Sequence, residues 1–130
     1  MPIELSISAG ELIDRLTILE LKLHRLPDAV RPELERELAR VQAVRDRAFP
    51  PSERLLELSV RLGAVNAELW DLEEALRDCE RTGSFDERFV ELARRVYRTN
   101  DERAARKRQI DELVGSELRE HKSHALPTLP

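Results

Sequence analysis

Eight residues, Leu55, Leu58, Leu62, Val65, Leu69, Leu72, Leu76 and Cys79, recur at alternating intervals of three and four without a break. An α-helix turns every 3.6 residues, so this spacing gathers them into one continuous stripe. A strand would send successive residues to opposite faces. A stripe of about seven turns needs other helices along its whole length to cover it. The pattern therefore predicts a helix over 53–81, about 43 Å long at 1.5 Å per residue. Leu56, Val60, Gly63, Ala67 and Trp70 form a second stripe beside the first. A helix apolar over so wide an arc belongs at the centre of its fold.

The rest of the chain supplies the partners. Leu12, Leu16, Leu19, Leu23 and Leu26 form a stripe over about 9–26, after a Ser8-x-x-Glu11 capping box. A second helix is predicted over 31–48, with Leu34, Leu38, Val41, Val44 and Ala48 inward. It starts at Arg31-Pro32 and is closed by Phe49-Pro50-Pro51. A fourth is predicted over 85–114, from a Ser84-x-x-Glu87 box to Gly115. The short link at 81–84 makes the last two helices an antiparallel hairpin. Folding there sets Trp70 opposite Tyr97 and Glu73 opposite Arg94. It also brings an acidic stretch, 68–80, against a basic one, 94–108, so an ion-pair seam between the two is expected. Ile3, Leu5 and Ile7 alternate with polar residues in a short extended arm, 1–7, and 125–130 reads as a loose tail. The expectation is one all-α domain over 1–130: an antiparallel bundle of about four helices, two of them long.

Composition narrows the function classes. A single Cys excludes a disulfide framework and all-Cys zinc sites, and Cys79 sits on the apolar stripe as a small hydrophobe. No run approaches 18 apolar residues, so no membrane span is expected. The opening residues lack a basic and apolar leader, which predicts a cytoplasmic protein. A net charge of −4 speaks against nucleic acid, and acids interrupt the basic run at 94–108. His121 and His124 have metal-compatible spacing but no further support, and no metal or cofactor is assigned. Walker, Rossmann and nucleophile-elbow patterns are absent.

One feature breaks the apolar logic. The stripe of the fourth helix runs Phe85, Phe89, Leu92, Val96, then Asn100, Arg103 and Lys107, and returns to Ile110 and Val114. Cations at core positions must be paired or must face water or an anion. Asn66 and Glu73 on the long third helix, and Asp14, Thr17 and Glu20 on the first, are the available partners. Two readings stand. One is a network that fixes how the helices meet. The other is an anion pocket, with Arg103 and Lys107 supplying charge, Asn66 and Asn100 orienting the ligand, and Glu73 or Glu20 the only general base in range.

The motifs Ser8-Ala-Gly-Glu-Leu-Ile-Asp-Arg-Leu-Thr-Ile-Leu-Glu20, Asn66-Ala-Glu-Leu-Trp70, Phe85-Asp-Glu-Arg-Phe89, Asn100-Asp-Glu-Arg-Ala104 with Lys107, and Gly115-Ser116 with Glu120-His-Lys-Ser123 occur in that order. Together the set resembles a family of small bacterial all-helical proteins defined as a domain of unknown function, over about 3–124. The resemblance implies no activity. It does single out Asn66, Trp70, Asn100, Arg103, Lys107, Glu120 and Lys122. The function expected is a helical binding or accessory module with a central polar cluster, homodimeric because helices 1 and 3 carry more apolar arc than one small bundle covers. The alternative is a small enzyme or carrier for a carboxylate, phosphate or sugar-nucleotide metabolite, with Asn66, Glu73, Asn100, Arg103 and Lys107 as its ligand-binding set.

Overall fold

The structure is a computed structural model and describes residues 1–122, with side chains through 115. Four helices, α1 (Ala9–Arg25), α2 (Arg31–Ala48), α3 (Glu53–Thr82) and α4 (Glu87–Lys122), follow one another, with a single 3₁₀ turn at Asp28–Val30. The fold is all-α, as the periodicities predict. The expected tail, 125–130, lies outside the described residues.

Each start has a local cause. Ser8 Oγ accepts from Glu11 N at 3.2 Å and Ser52 Oγ from Leu55 N at 3.2 Å, so each satisfies a donor the helix cannot. The box at Ser84 does not form. Ser84 Oγ instead meets Thr82 Oγ1 at 2.9 Å, and Asp86 caps α4 by accepting from Arg88 N at 3.1 Å and Phe89 N at 3.4 Å. Asp is as strong a cap as Ser, and the helix starts at Glu87. Gly83, at φ 67°, closes α3, and Ser84 N reaches back to Cys79 O at 2.8 Å. Gly115 does not stop α4, which continues to Lys122. A glycine inside a helix costs only about 1 kcal/mol relative to alanine.

The chain runs up, down, up, down, yet the four helices are not equivalent. α3 and α4 form the antiparallel hairpin, with Arg95 Nη2 on Glu68 Oε1 at 3.2 Å and Arg88 Nη1 on Cys79 Sγ at 3.4 Å. α1 lies in the cleft of that hairpin, parallel to α3 and antiparallel to α4. Thr17 meets Gly63 and Arg25 pairs with Asp71, while Asp14 meets Arg103 and Gly10 meets Lys107. Among the four α-helices α2 approaches only α1, and none of its residues is buried. Of its expected inward residues, Leu38 and Val41 pack against the core and Leu34 is half-buried, while Val44 and Ala48 are exposed.

That core has two apolar parts. Ile13, Leu16, Leu55, Leu58, Leu62 and Ile110 fill one end, and Leu72, Cys79 and Leu92 fill the end near the hairpin turn. Seven of the eight residues of the long stripe are buried, and Leu76 is half-buried against the second cluster. Two expectations about the hairpin are corrected. Tyr97 is 73% exposed, and Trp70 packs under the Arg25 guanidinium at 5.9 Å, so α1 takes the place expected of Tyr97. The expected ion-pair seam is reduced to one cross-hairpin pair among the described residues. Glu68–Arg95 crosses the hairpin, while Glu74–Arg77, Asp78–Arg81, Glu91–Arg98 and Glu102–Arg106 each stay on one helix.

The tightest approach is at Gly10. A Cβ built there would lie 2.5 Å from the backbone oxygen of Lys107, whereas one at Gly115 would touch nothing within 4 Å. Gly10→Ala should therefore push α1 off α4 and destabilise by about 2 kcal/mol or more. Gly115→Ala should stabilise by about 0.5–1 kcal/mol. Urea unfolding of the two variants checks the contrast.

Candidate functional site

Between the two apolar clusters lies a polar waist, built around Asp14. It is 4% exposed, on the side of α1 turned toward α3 and α4. A carboxylate in that position loses its hydration and must be repaid in hydrogen bonds. Arg103 supplies a two-pronged contact, Nε to Oδ1 at 3.0 Å and Nη2 to Oδ2 at 2.5 Å. Asn66 Nδ2 donates to Asp14 Oδ1 at 2.9 Å and to Thr17 Oγ1 at 2.8 Å. Thr17 Oγ1 in turn donates to the backbone oxygen of Asp14 at 2.8 Å. Three helices thus meet on one carboxylate.

The contact continues along the α1–α4 seam. Lys107 Nζ pairs with Glu11 Oε1, and Asp111 Oδ1 accepts from Gly10 N at 2.6 Å. Arg103, Lys107 and Asp111 are four apart on α4, and each faces its counterpart on antiparallel α1. Asp111 also places a negative charge at the positive end of α1. Glu11 does not complete its capping box by reaching back to Ser8, since its carboxylate is engaged by Lys107. Among the described residues, no buried side-chain nitrogen or oxygen lacks a partner.

Electrostatics follow the geometry. Burial works to raise the Asp14 pKa. The hydrogen bonds from Arg103 and Asn66 and the charges of Arg103 and Lys107 outweigh it, and the net shift is downward from the usual 3.8. Arg103 is held above its ordinary value by its bond to Asp14, against its own desolvation.

The residues predicted from sequence divide cleanly. Asn66, Arg103 and Lys107 come together in the waist. Asn100 is exposed, and its neighbour Thr99 takes the inward position instead. Glu73 is exposed and reaches Arg103 only as a distant charge. Glu20 is exposed and lies away from the waist. Asp14, one of three acids offered as partners, is the one that matters. Its signal was a small and polar stripe, Gly10, Asp14 and Thr17, spaced four and three on α1. The side chains of Glu120, His121, Lys122 and His124 lie outside the described residues. Among the described residues, no three potential metal ligands converge.

Neither Arg103 nor Lys107 lines the principal cavity. That is a groove of about 870 Å³ bounded by α1, the end of α2, the Pro50-Pro51 link and the start of α3. Its walls include Ile13, Leu16, Leu21, Phe49, Leu55, Leu56 and Val60. Glu20, His24, Arg45, Asp46 and Glu53 stand at its polar margin. Leu56 and Val60, on the second stripe of α3, are each 65% exposed there.

Residues 3–129 match the model of DUF6165, a family of unknown function. The chain belongs to this family. No curated protein and no solved structure matches it. The family ascribes no chemistry to the waist or the groove, so their roles rest on geometry.

Removing Arg103 leaves a buried carboxylate with less than half its compensation. Arg103→Ala should cost about 3 kcal/mol, somewhat reduced because the guanidinium is partly exposed. Asn100→Ala and Glu73→Ala should each stay within about 0.5 kcal/mol. Because the folded-state pKa of Asp14 is depressed, its contribution is full above the unfolded value of 3.8 and is lost as pH falls through the folded value. Acid titration of the unfolding midpoint should show the loss in the parent chain beginning below about pH 4. In Arg103→Ala, where the main cause of the depression is gone, this acid-dependent loss should shrink or disappear.

Proposed function

We propose that the chain is a helical binding module, an accessory protein of the bacterial cytoplasm that works by contact, and that its contact surface is the apolar groove. The observation that carries this is the division of labour between the two features. The cations of the waist are already engaged by carboxylates of α1. An anionic metabolite would have to take Lys107 from Glu11 and Arg103 from Asp14, stranding a buried carboxylate. The groove has the opposite character: concave, apolar, and carrying large aliphatic side chains that its own chain leaves exposed. Acids at its margin also disfavour an anion there. Apolar concavities of several hundred Å³ are where proteins take partners or ligands.

The carrier or enzyme reading, with Asn66, Glu73, Asn100, Arg103 and Lys107 around an anion, gains no comparable support, since Glu73 and Asn100 are exposed. Nucleic acid fits no better, for acids interrupt the basic face of α4: Arg98 pairs with Glu91, Arg106 with Glu102, and Arg95 with Glu68 of α3.

The test uses two probes. At high protein dilution, the apolar dye anilinonaphthalene sulfonate should brighten with the parent chain and not with Val60→Glu, whose exposed position leaves folding intact. Phosphate and UDP-glucose should leave the melting midpoint unchanged. Stabilisation by either anion that disappears in Arg103→Ala would move the function to the waist and overturn this reading.

A further inference from the structure

We infer that the groove is filled by the N-terminal arm of a second copy of this chain, so that two copies exchange arms reciprocally. This rests on the groove being the contact surface and names its occupant.

The first half of the argument is the arm. Residues 1–8 hold no regular structure and precede α1. Within them Ile3, Leu5 and Ile7 are two apart, which puts all three on one face of an extended segment and leaves Glu4 and Ser6 on the other. The outer two are uncovered by their own chain, Ile3 at 93% exposed and Leu5 at 83%, while Ile7, beside α1, is 44% exposed. An apolar face that alternates with polar residues is the pattern of a segment laid against a surface.

The groove is the second half. It offers apolar walls and the exposed Leu56 and Val60, and no residue before Ile13 lines it. One copy therefore carries an uncovered apolar ridge and an uncovered apolar trough, at separate places. Ser8 itself is extended, at φ −74° and ψ 163°, while its hydroxyl caps α1. If each copy's arm enters the other's groove, one contact is made twice about a two-fold axis, and the assembly closes as a dimer.

The experiment combines sedimentation, cysteine cross-linking and the same dye. Cys79 is buried and can stay in place. The parent chain should sediment as a dimer at micromolar concentration, with dye brightness per chain falling as the dimer forms. Leu5→Glu should give a 15.0 kDa monomer whose dye response no longer falls with concentration. Under mild oxidation, Leu5→Cys mixed with Val60→Cys should yield a disulfide between the two different chains. Three results would overturn the proposal. They are a parent monomer at micromolar concentration, a dimer that persists in Leu5→Glu, and a disulfide confined within single chains carrying both cysteines. The last would place the arm in its own groove. In each of these cases, dye binding that Val60→Glu still abolishes leaves the groove as a contact surface for another partner. No dye response from any form would remove the groove reading as well.

Discussion

A carboxylate cannot be taken out of water among leucines unless something replaces the hydration it loses. Asp14 is in that position, and the rest of the bundle is arranged around its compensation. Arg103 must come from α4 and Asn66 from α3, so the three helices can meet at only one relative height. Sliding α1 by one turn would leave Asp14 against apolar neighbours and Arg103 without its acid. An apolar stripe alone tolerates such a slip, because one leucine resembles the next. The waist supplies the register that the stripes on either side cannot.

Gly10 shows what this demands of the backbone. For Lys107 and Arg103 to reach Glu11 and Asp14 on consecutive turns, the start of α1 must lie almost on the α4 main chain. A side chain there would collide with the Lys107 carbonyl. The absent Cβ, the Gly10 N–H given to Asp111 and the two ion pairs are therefore parts of one contact. α1 is the element on which the fold turns: it seats in the hairpin on one side and carries α2 on the other.

Periodicity made the helices legible and left their rotations partly open. On α3 the eight-member stripe admits one orientation, and that orientation is found. On α4 both Thr99 and Asn100 continue the stripe from Val96 to Arg103, one at steps of three and four, the other at four and three. Only the position of α1 chooses Thr99, and α4's own sequence does not contain it. Trp70 was misplaced for the same reason: hairpin arithmetic treats α3 and α4 as alone, whereas Arg25 of α1 covers the indole. The charge blocks at 68–80 and 94–108 misled because pairs three or four apart on one helix satisfy long side chains without a second helix. At Ser84 and Asp86, two competent caps stood two residues apart. The cluster itself was legible from the return of the stripe to Ile110; its acid was found only as one of three.

The two unusual regions of the molecule differ in what they leave undone. In the waist each charge meets its opposite, and any newcomer must first break a bond. In the groove nothing is broken by a newcomer, because Leu56 and Val60 already face water that they would lose on contact. Binding there releases ordered solvent without first separating an ion pair. The same sequence that closes its core with three helices leaves the second stripe of α3 without a lid, since α2 turns aside to rest on α1. The placement of α2 thus produces both the exposed aliphatics and the concavity around them. The surface therefore arises from how the helices share α1 rather than from a stray hydrophobe.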